Sequence, residues 1–326
     1  MTERLNTDFL DYFPIRHGLA PSQIGLRRLP TDRQDARNKI FQMGTDWQEC
    51  LENKRLCRVE RLGKYYQSHA ARPPRAISLW IMHELATEYP EIFTLTPSSA
   101  GPTLHAKHTG DVIAASVAGD LDRTRSQLNS FAVAATDLFD ALAMQVPEDL
   151  VVQGCANDYA QDECQQVHLC HANGWSAEWA IGKGFDAIHA RVPRIETIIR
   201  DTGKILRAIV ESPAVMERIG AVNFRTSPLL NRHPEIPEEK RHVPFHHRDH
   251  AQLYLRFERQ CTVGFAAEKA FLFTIRTYRT QIDPGMPADA WQAFGRVMAQ
   301  SSDGTNPHRF LASNRDELLR WMQNLG

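Results

Sequence analysis

Residues 253–261 read Leu-Tyr-Leu-Arg-Phe-Glu-Arg-Gln-Cys, and residues 270–278 read Ala-Phe-Leu-Phe-Thr-Ile-Arg-Thr-Tyr. Successive residues of a strand point to opposite faces. Leu253, Leu255 and Phe257 therefore share one face of the first segment, with Tyr254, Arg256, Glu258 and Gln260 on the other. In the second segment Phe271, Phe273 and Ile275 share a face, and Leu272, Thr274, Arg276 and Tyr278 lie opposite. Paired antiparallel with both apolar faces turned inward, the strands would bring Arg256, Glu258, Arg276 and Tyr278 within cross-strand reach. Such a polar face is either a solvated ladder of opposite charges, the commoner case, or one wall of a polar pocket.

Outward from this hairpin the pattern predicts an α+β fold. Residues 1–40 are broken by Pro14, Pro21 and Pro30. Residues 46–67 predict a charged helix with an apolar stripe through Trp47, Leu51, Leu56 and Leu62, and residues 74–89 a second helix carrying Ile77, Leu79, Ile81 and Leu85. Small residues dominate 96–120, where the pattern offers only a short strand over 111–118. Residues 131–144 predict a packed helix, and 150–153 with 167–170 a hairpin. Ile195, Ile198, Ile199, Thr202, Ile205, Leu206, Ile209 and Val210 keep i, i+3, i+4 spacing behind Pro193, the clearest amphipathic helix in the chain. Residues 232–250 are polar and proline-rich, as a loop is. Helices gather at the front and strands at the back, which is α+β and not alternating βαβ.

Composition removes several function classes. Among 326 residues, Lys plus Arg number 38 and Asp plus Glu 39, so a nucleic-acid partner has no electrostatic support. No apolar run is long enough to span a bilayer, and the opening MTERLNTDFLDYF carries acids where a signal peptide has an apolar core, so a cytoplasmic location without membrane attachment is expected. Six cysteines, at 50, 57, 155, 164, 170 and 261, form no CxxC pair, which argues against a disulfide framework, a zinc ribbon or an iron–sulfur cluster. Buried, reduced thiols are expected. There is no GxGxxG at a strand–helix junction and no phosphate-cradling loop around Gly182-Lys183-Gly184, so neither a nicotinamide nor an ATP site is indicated. CxxCH, the attachment site of c-type haem, is missing too.

The motif Glu258-Arg259-Gln260 followed by Phe273–Tyr278, FTIRTY, resembles the C-terminal signature of the haem-dependent oxidative N-demethylase family, the haem-binding subunit type of bacterial dimethylamine monooxygenases. The segment 171–193, HANGWSAEWAIGKGFDAIHARVP, is similar to that family's Gly-Trp and Ile-His-x-x-Val-Pro region, and Val222–Phe224 to its Asn-Trp strand. FPIRHGLAP at 13–21, LENKR at 51–55 and ELATEYPEIF at 84–93 follow in the family's order, so the resemblance covers most of the chain. It implies a PAS-like antiparallel sheet core over 126–326, including a C-terminal extension, with a mainly helical N-terminal elaboration over 1–125, together one haem-binding domain. It also implies a haem b cofactor with iron, a small cationic nitrogen substrate, O2 or peroxide, and a separate electron-donating reductase. Homo-oligomerisation is left open.

The same resemblance singles out His189, at the end of the Ile-His motif, as the iron ligand, with Arg256, Asn223 and Trp175 as further cofactor-binding residues. Glu258, Arg276 and Tyr278 are then the candidate catalytic groups, because peroxide heterolysis needs a proton donor and positive charge, and a cationic substrate needs a carboxylate. Arginine is suited to a propionate because its fork is bidentate and permanently charged. The rival ligand set is the loop of His242, His246, His247 and His250, interrupted by Pro244 and flanked by Arg241 and Arg248. His105, His108, His168 and His171 read as surface or packing histidines. Demethylation is the activity that the resemblance implies first. The family is also similar to an arginine N-hydroxylase of antibiotic (cycloserine) biosynthesis, and the departure at Cys261–Ala266, where the family has Leu-Arg-Arg-Leu-Pro, favours N-hydroxylation of an arginine-like compound. A haem PAS gas or redox sensor and a haem-free binding protein are the alternatives.

Overall fold

The computed structural model describes residues 26–69, 75–126, 133–190, 199–241, 253–282 and 320. The chain divides into two compact units. The larger holds Arg28–Met216 and Cys261–Arg276; the smaller holds Met1–Arg27, Glu217–Gln260 and Thr277–Gly326. A two-residue strand, β1 (Arg27–Arg28), lies at the first boundary.

In the larger unit, helix α1 (Trp47–Tyr65) runs into strand β2 (Tyr66–Ser68), and helix α2 (Arg75–Glu88) follows. The predicted helices are present, but the buried face of α1 is largely polar; of the expected stripe Trp47, Leu51 and Leu62 are half-buried and Leu56 is exposed. Cys50, Lys54, Cys57, Arg58, Lys64 and Tyr65 are its buried residues, while Leu56 and Val59 are 53% and 59% exposed. An apolar stripe is decisive only when the opposing surface is apolar. Here that surface carries the buried acids Asp140, Glu148 and Asp149.

Residues 93–125 contain more than the single short strand expected. They form a four-stranded antiparallel sheet, β3 (Phe93–Thr96), β4 (Thr103–Ala106), β5 (Asp111–Ala115) and β6 (Leu121–Arg125), in sequential order. The described front of the chain thus adds a four-stranded sheet to its two helices. Gly119 in the β5–β6 turn has φ 79°, and a Cβ there would meet the Arg75 Cβ at 2.6 Å.

Helix α3 (Leu138–Ala143) is capped by Asp137, whose carboxylate accepts from the Asp140 N–H at 2.9 Å. It is shorter than the helix expected over 131–144, since residues 133–137 are not helical. The expected hairpin follows as β7 (Asp149–Cys155) and β8 (Asp162–His168), paired antiparallel. Short helices α4 (Ala177–Ala180) and α5 (Phe185–His189) come next, then α6 (Thr202–Val210), the described part of the long amphipathic segment. Strand β11 (Ala270–Ile282) pairs antiparallel with β7, and β8 with β2.

Both faces of this sheet are covered. Leu150, Val152, Ala270 and Leu272 pack in one core with Ile77, Ile81 and Leu85 of α2 and Leu138 and Leu142 of α3. On the other face Val151, Val167 and Ile275 pack with Ala177 and Ala180 of α4, and Phe271 packs with Leu206, Ile209 and Val210 of α6.

The smaller unit contains β9 (Met216–Arg225), helix α7 (Glu238–Arg241), the first part of β10 (Leu253–Phe265) and the last part of β11, in strand order β9-β10-β11. Across the described residues the protein is a mixture of helices and antiparallel sheet, an α+β fold. No helix among them is long and apolar enough to cross a membrane. All six cysteines are free, five of them buried.

Candidate functional site

The alternation of β10 and β11 does not produce a solvated ladder, because both faces of β10 are buried from Leu253 to Arg259. Nor do the strands gather the four polar candidates on one face. Arg256 Nη2 lies 3.4 Å from Thr277 Oγ1, the Phe257 ring stacks on Tyr278 at 5.1 Å and 24°, and Arg279 lies over the Tyr254 ring at 6.0 Å. Tyr254, Arg256 and Glu258 therefore share a side with Thr277 and Arg279, and Phe257 shares a side with Arg276 and Tyr278. A one-residue difference in pairing exchanges every side chain between faces, and periodicity alone does not fix that register.

Arg276, buried at 1% exposure, is tied to the start of α1. It forms an ion pair with Asp46, donates to the Gln42 carbonyl at 3.2 Å, and lies 3.3 Å from Cys50 Sγ. Around it runs a buried polar layer that sequence reading did not anticipate. Lys54 Nζ donates to the carbonyls of Ala143, at 2.7 Å, and Glu148. Arg58 pairs with Asp140, and His171 Nε2 lies 3.3 Å from the Cys50 carbonyl. The dry surroundings push the Lys54 ammonium and the His168 imidazole below their ordinary pKa values and the Glu148 and Asp140 carboxyls above theirs.

In the smaller unit, Arg256 donates to the Leu230 carbonyl at 2.7 Å, and Glu258 accepts from Gln260 Nε2 at 2.9 Å. Two more arginines face this pair. Burial, reinforced by neighbouring guanidinium groups, pushes Arg232 down to about 9 and Arg225 to about 10, with Glu258 acting in the opposite direction on Arg225. Neither was singled out from the sequence. Asn223 lies on β9, with its side chain outside the described residues. Tyr278 is buried at 3% exposure against Phe257.

In the larger unit, His189 ends α5. Asp162 on β8 accepts from the Phe185 N–H at 2.7 Å and so fixes the start of that helix. Burial raises the pKa of this aspartate, while its hydrogen bonds and His189 oppose the rise. One turn later His189 Nδ1 lies 2.7 Å from the Phe185 carbonyl, and the imidazole stacks on the Phe185 ring at 4.0 Å and 29°. A carbonyl only accepts, so Nδ1 carries the proton and Nε2 is the lone-pair nitrogen of the neutral ring. This is the tautomer a metal-ligating histidine needs, with the second nitrogen held by a backbone acceptor.

Beside it, Trp175, Ile188 and Phe273 pack half-buried against the apolar cluster of Val151, Val167 and Ile275. The structure thus brings His189 and Trp175 to the same side of the sheet. Alternation sets Arg276 on the other face of β11 from Phe273 and Ile275.

The remaining histidines divide as follows. His242, His246, His247 and His250 lie outside the described residues. His105 is exposed on β4, and His108 packs edge-on between Trp47 and Phe93 with Nε2 3.2 Å from the Gln145 carbonyl. His168 and His171 are fully buried. No group of three or more His, Cys, Asp or Glu side chains with metal-holding geometry occurs among the described residues.

Residues 32–297 match the family described as "Haem-dependent oxidative N-demethylase, alpha subunit-like". No curated protein matches the chain.

Proposed function

Because this chain belongs to the haem-dependent oxidative N-demethylase, alpha subunit-like family, and haem is that family's cofactor, we propose that it is a haem b-dependent monooxygenase acting at the nitrogen of a small amine or guanidine. N-hydroxylation of an arginine-like substrate is the favoured reaction. The observation that supports the site assignment is the contact of His189 Nδ1 with the Phe185 carbonyl. It makes Nε2 the lone-pair nitrogen of the neutral ring, on a helix that Asp162 anchors to β8.

His189 then holds the iron, and Trp175, Ile188 and Phe273 supply the apolar surroundings that keep water from it. When bound, haem supplies the iron at which oxygen or peroxide is activated. The family resemblance assigns a propionate to Arg256, a role suited to a buried guanidinium, and a cofactor-binding role to Asn223. Glu258 receives the cationic nitrogen, because a charge enclosed without a carboxylate would be prohibitively costly. Arg276 and Tyr278 brace β11 from its other face. The core is read as PAS-like, with β7, β8, β10 and β11 as its sheet. The sequence has no flavin, nicotinamide or iron–sulfur motif, so electrons come from a separate reductase or from hydrogen peroxide. A cytoplasmic location suits such a partner.

The family's own description favours a second reading, oxidative N-demethylation. Incubating the haem-loaded protein with hydrogen peroxide and either arginine or dimethylamine separates the two. N-hydroxyarginine supports the favoured reaction and formaldehyde the second. Neither product, from a protein with an intact haem spectrum, would refute both.

A further inference from the structure

Tyr159 has a backbone that its side chain must compensate. It sits in the β7–β8 turn at φ 62°, a left-handed conformation that costs a tyrosine about 1 kcal/mol or more. The residue is 2% exposed, and three groups hold its phenol. The hydroxyl donates to Glu211 Oε1 at 3.0 Å and accepts from Lys269 Nζ at 3.0 Å. Lys269 and Arg207 also flank the ring at 4.9 and 5.3 Å. Inward, Tyr159 belongs to the cluster of Leu206, Ile209, Val210 and Phe271, against which Phe185 packs. Phe185 in turn stacks on His189. Outward, Tyr159 backs a cleft of about 690 Å³ lined by Asp158, Lys204, Arg207 and Glu211.

One packed apolar cluster, with Phe185 at its edge, therefore lies between the proposed iron ligand and a phenol that has its own proton acceptor and lies beneath a surface cleft. We infer that Tyr159 is a redox-active residue, a one-electron donor that drains oxidising equivalents from the haem when no substrate consumes them. This rests on the assignment of haem to His189. Hydrogen peroxide is the oxidant and takes two electrons and two protons to give two waters. Tyr159 supplies the two electrons one at a time, and the two protons come from water. In each step its O–H bond breaks, the electron passes inward towards Phe185 and His189, and the proton crosses to the Glu211 carboxylate, which releases it to the water of the cleft. A one-electron reductant such as ascorbate, an anion suited to the Lys204 and Arg207 rim, returns a hydrogen atom from the cleft between steps. Without it the tyrosyl radical accumulates.

The test is electron paramagnetic resonance of the haem-loaded protein, frozen after mixing with hydrogen peroxide without substrate. The wild type should give a tyrosyl radical that ascorbate erases. Tyr159→Phe keeps the ring and should lower the spin yield severalfold while haem bleaching by peroxide accelerates. Glu211→Gln keeps the tyrosine, removes the proton acceptor, and should also lower the yield severalfold. A wild-type radical that survives Tyr159→Phe, or no radical at all, with a normal Soret band would overturn the inference and leave the proposed function standing. A wild type with no Soret band would overturn the haem assignment itself, and this inference with it.

Discussion

The polar buried face of α1 makes a quantitative prediction about two neighbouring positions. Lys54→Met nearly conserves volume, yet it removes the ammonium that donates to the Ala143 and Glu148 carbonyls in a fully buried site. Each hydrogen bond to a charged group contributes about 1.5–3 kcal/mol, and relief of the lysine's own desolvation offsets part of the loss. A net loss of about 3 kcal/mol is expected, the scale for breaking one side of a buried charge network. Leu56→Gln, at a position 53% exposed, should change stability by no more than about 0.5 kcal/mol. Urea titration followed by circular dichroism reads both; with a slope of about 3 kcal/mol per molar, Lys54→Met should move the midpoint down by about 1 M and Leu56→Gln hardly at all. If Leu56→Gln costs as much as Lys54→Met or more, α1 buries its apolar stripe after all and Lys54 does not lie on its inner face.

Burial raises the Glu88 carboxyl from 4.5 to about 8, although it accepts from the Ile40 and Phe41 N–H groups. The folded chain then keeps a proton that the unfolded chain has released across that window, so the stability is present below 4.5 and is lost as pH rises through 8. The stability difference between wild type and Glu88→Gln should thus fall with rising pH, by at most about 1.4 kcal/mol per unit, and a flat difference would mean that the two N–H donors keep the carboxylate ionised. Arg276→Gln should cost about 3 kcal/mol of stability by stranding Asp46, and should leave the affinity for a cationic ligand unchanged. Glu258→Gln should do the reverse, weakening arginine binding by about 1–3 kcal/mol in a Soret titration while sparing carbon monoxide, and equal effects of both variants on binding would return Arg276 to the site.

Local signals made the element boundaries legible. The Phe271, Phe273, Ile275 alternation gave β11, and Asp46 with Tyr89-Pro90 bracketed the first two helices. What failed depended on partners far along the chain. Which face α1 buries is decided by Asp140, Glu148 and Asp149, far along the chain from the helix, and charge-rich helices offer no local cue to that choice. The register that sets Phe257 against Tyr278 and Arg256 beside Thr277 depends on cross-strand contacts that periodicity does not reveal. Strands β3, β4 and β6 were hidden because polar, glycine-punctuated segments such as Thr103–Ala106 lack a continuous apolar alternation. Phe185 and His189, by contrast, are an i, i+4 pair whose meeting on one helix face follows from spacing alone. Tyr159 carried no sequence signal for its positive φ, since glycine or asparagine is the residue normally found there.

The central claim is that His189 holds a haem iron, and absorption spectra of the wild type and of His189→Ala after haemin loading test it most directly. The wild type should show a Soret band and a b-type pyridine haemochrome, His189→Ala should lose or strongly shift that band, and the double variant His246→Ala, His250→Ala should keep it. An unchanged Soret band in His189→Ala, or its loss in the double variant alone, would contradict the account.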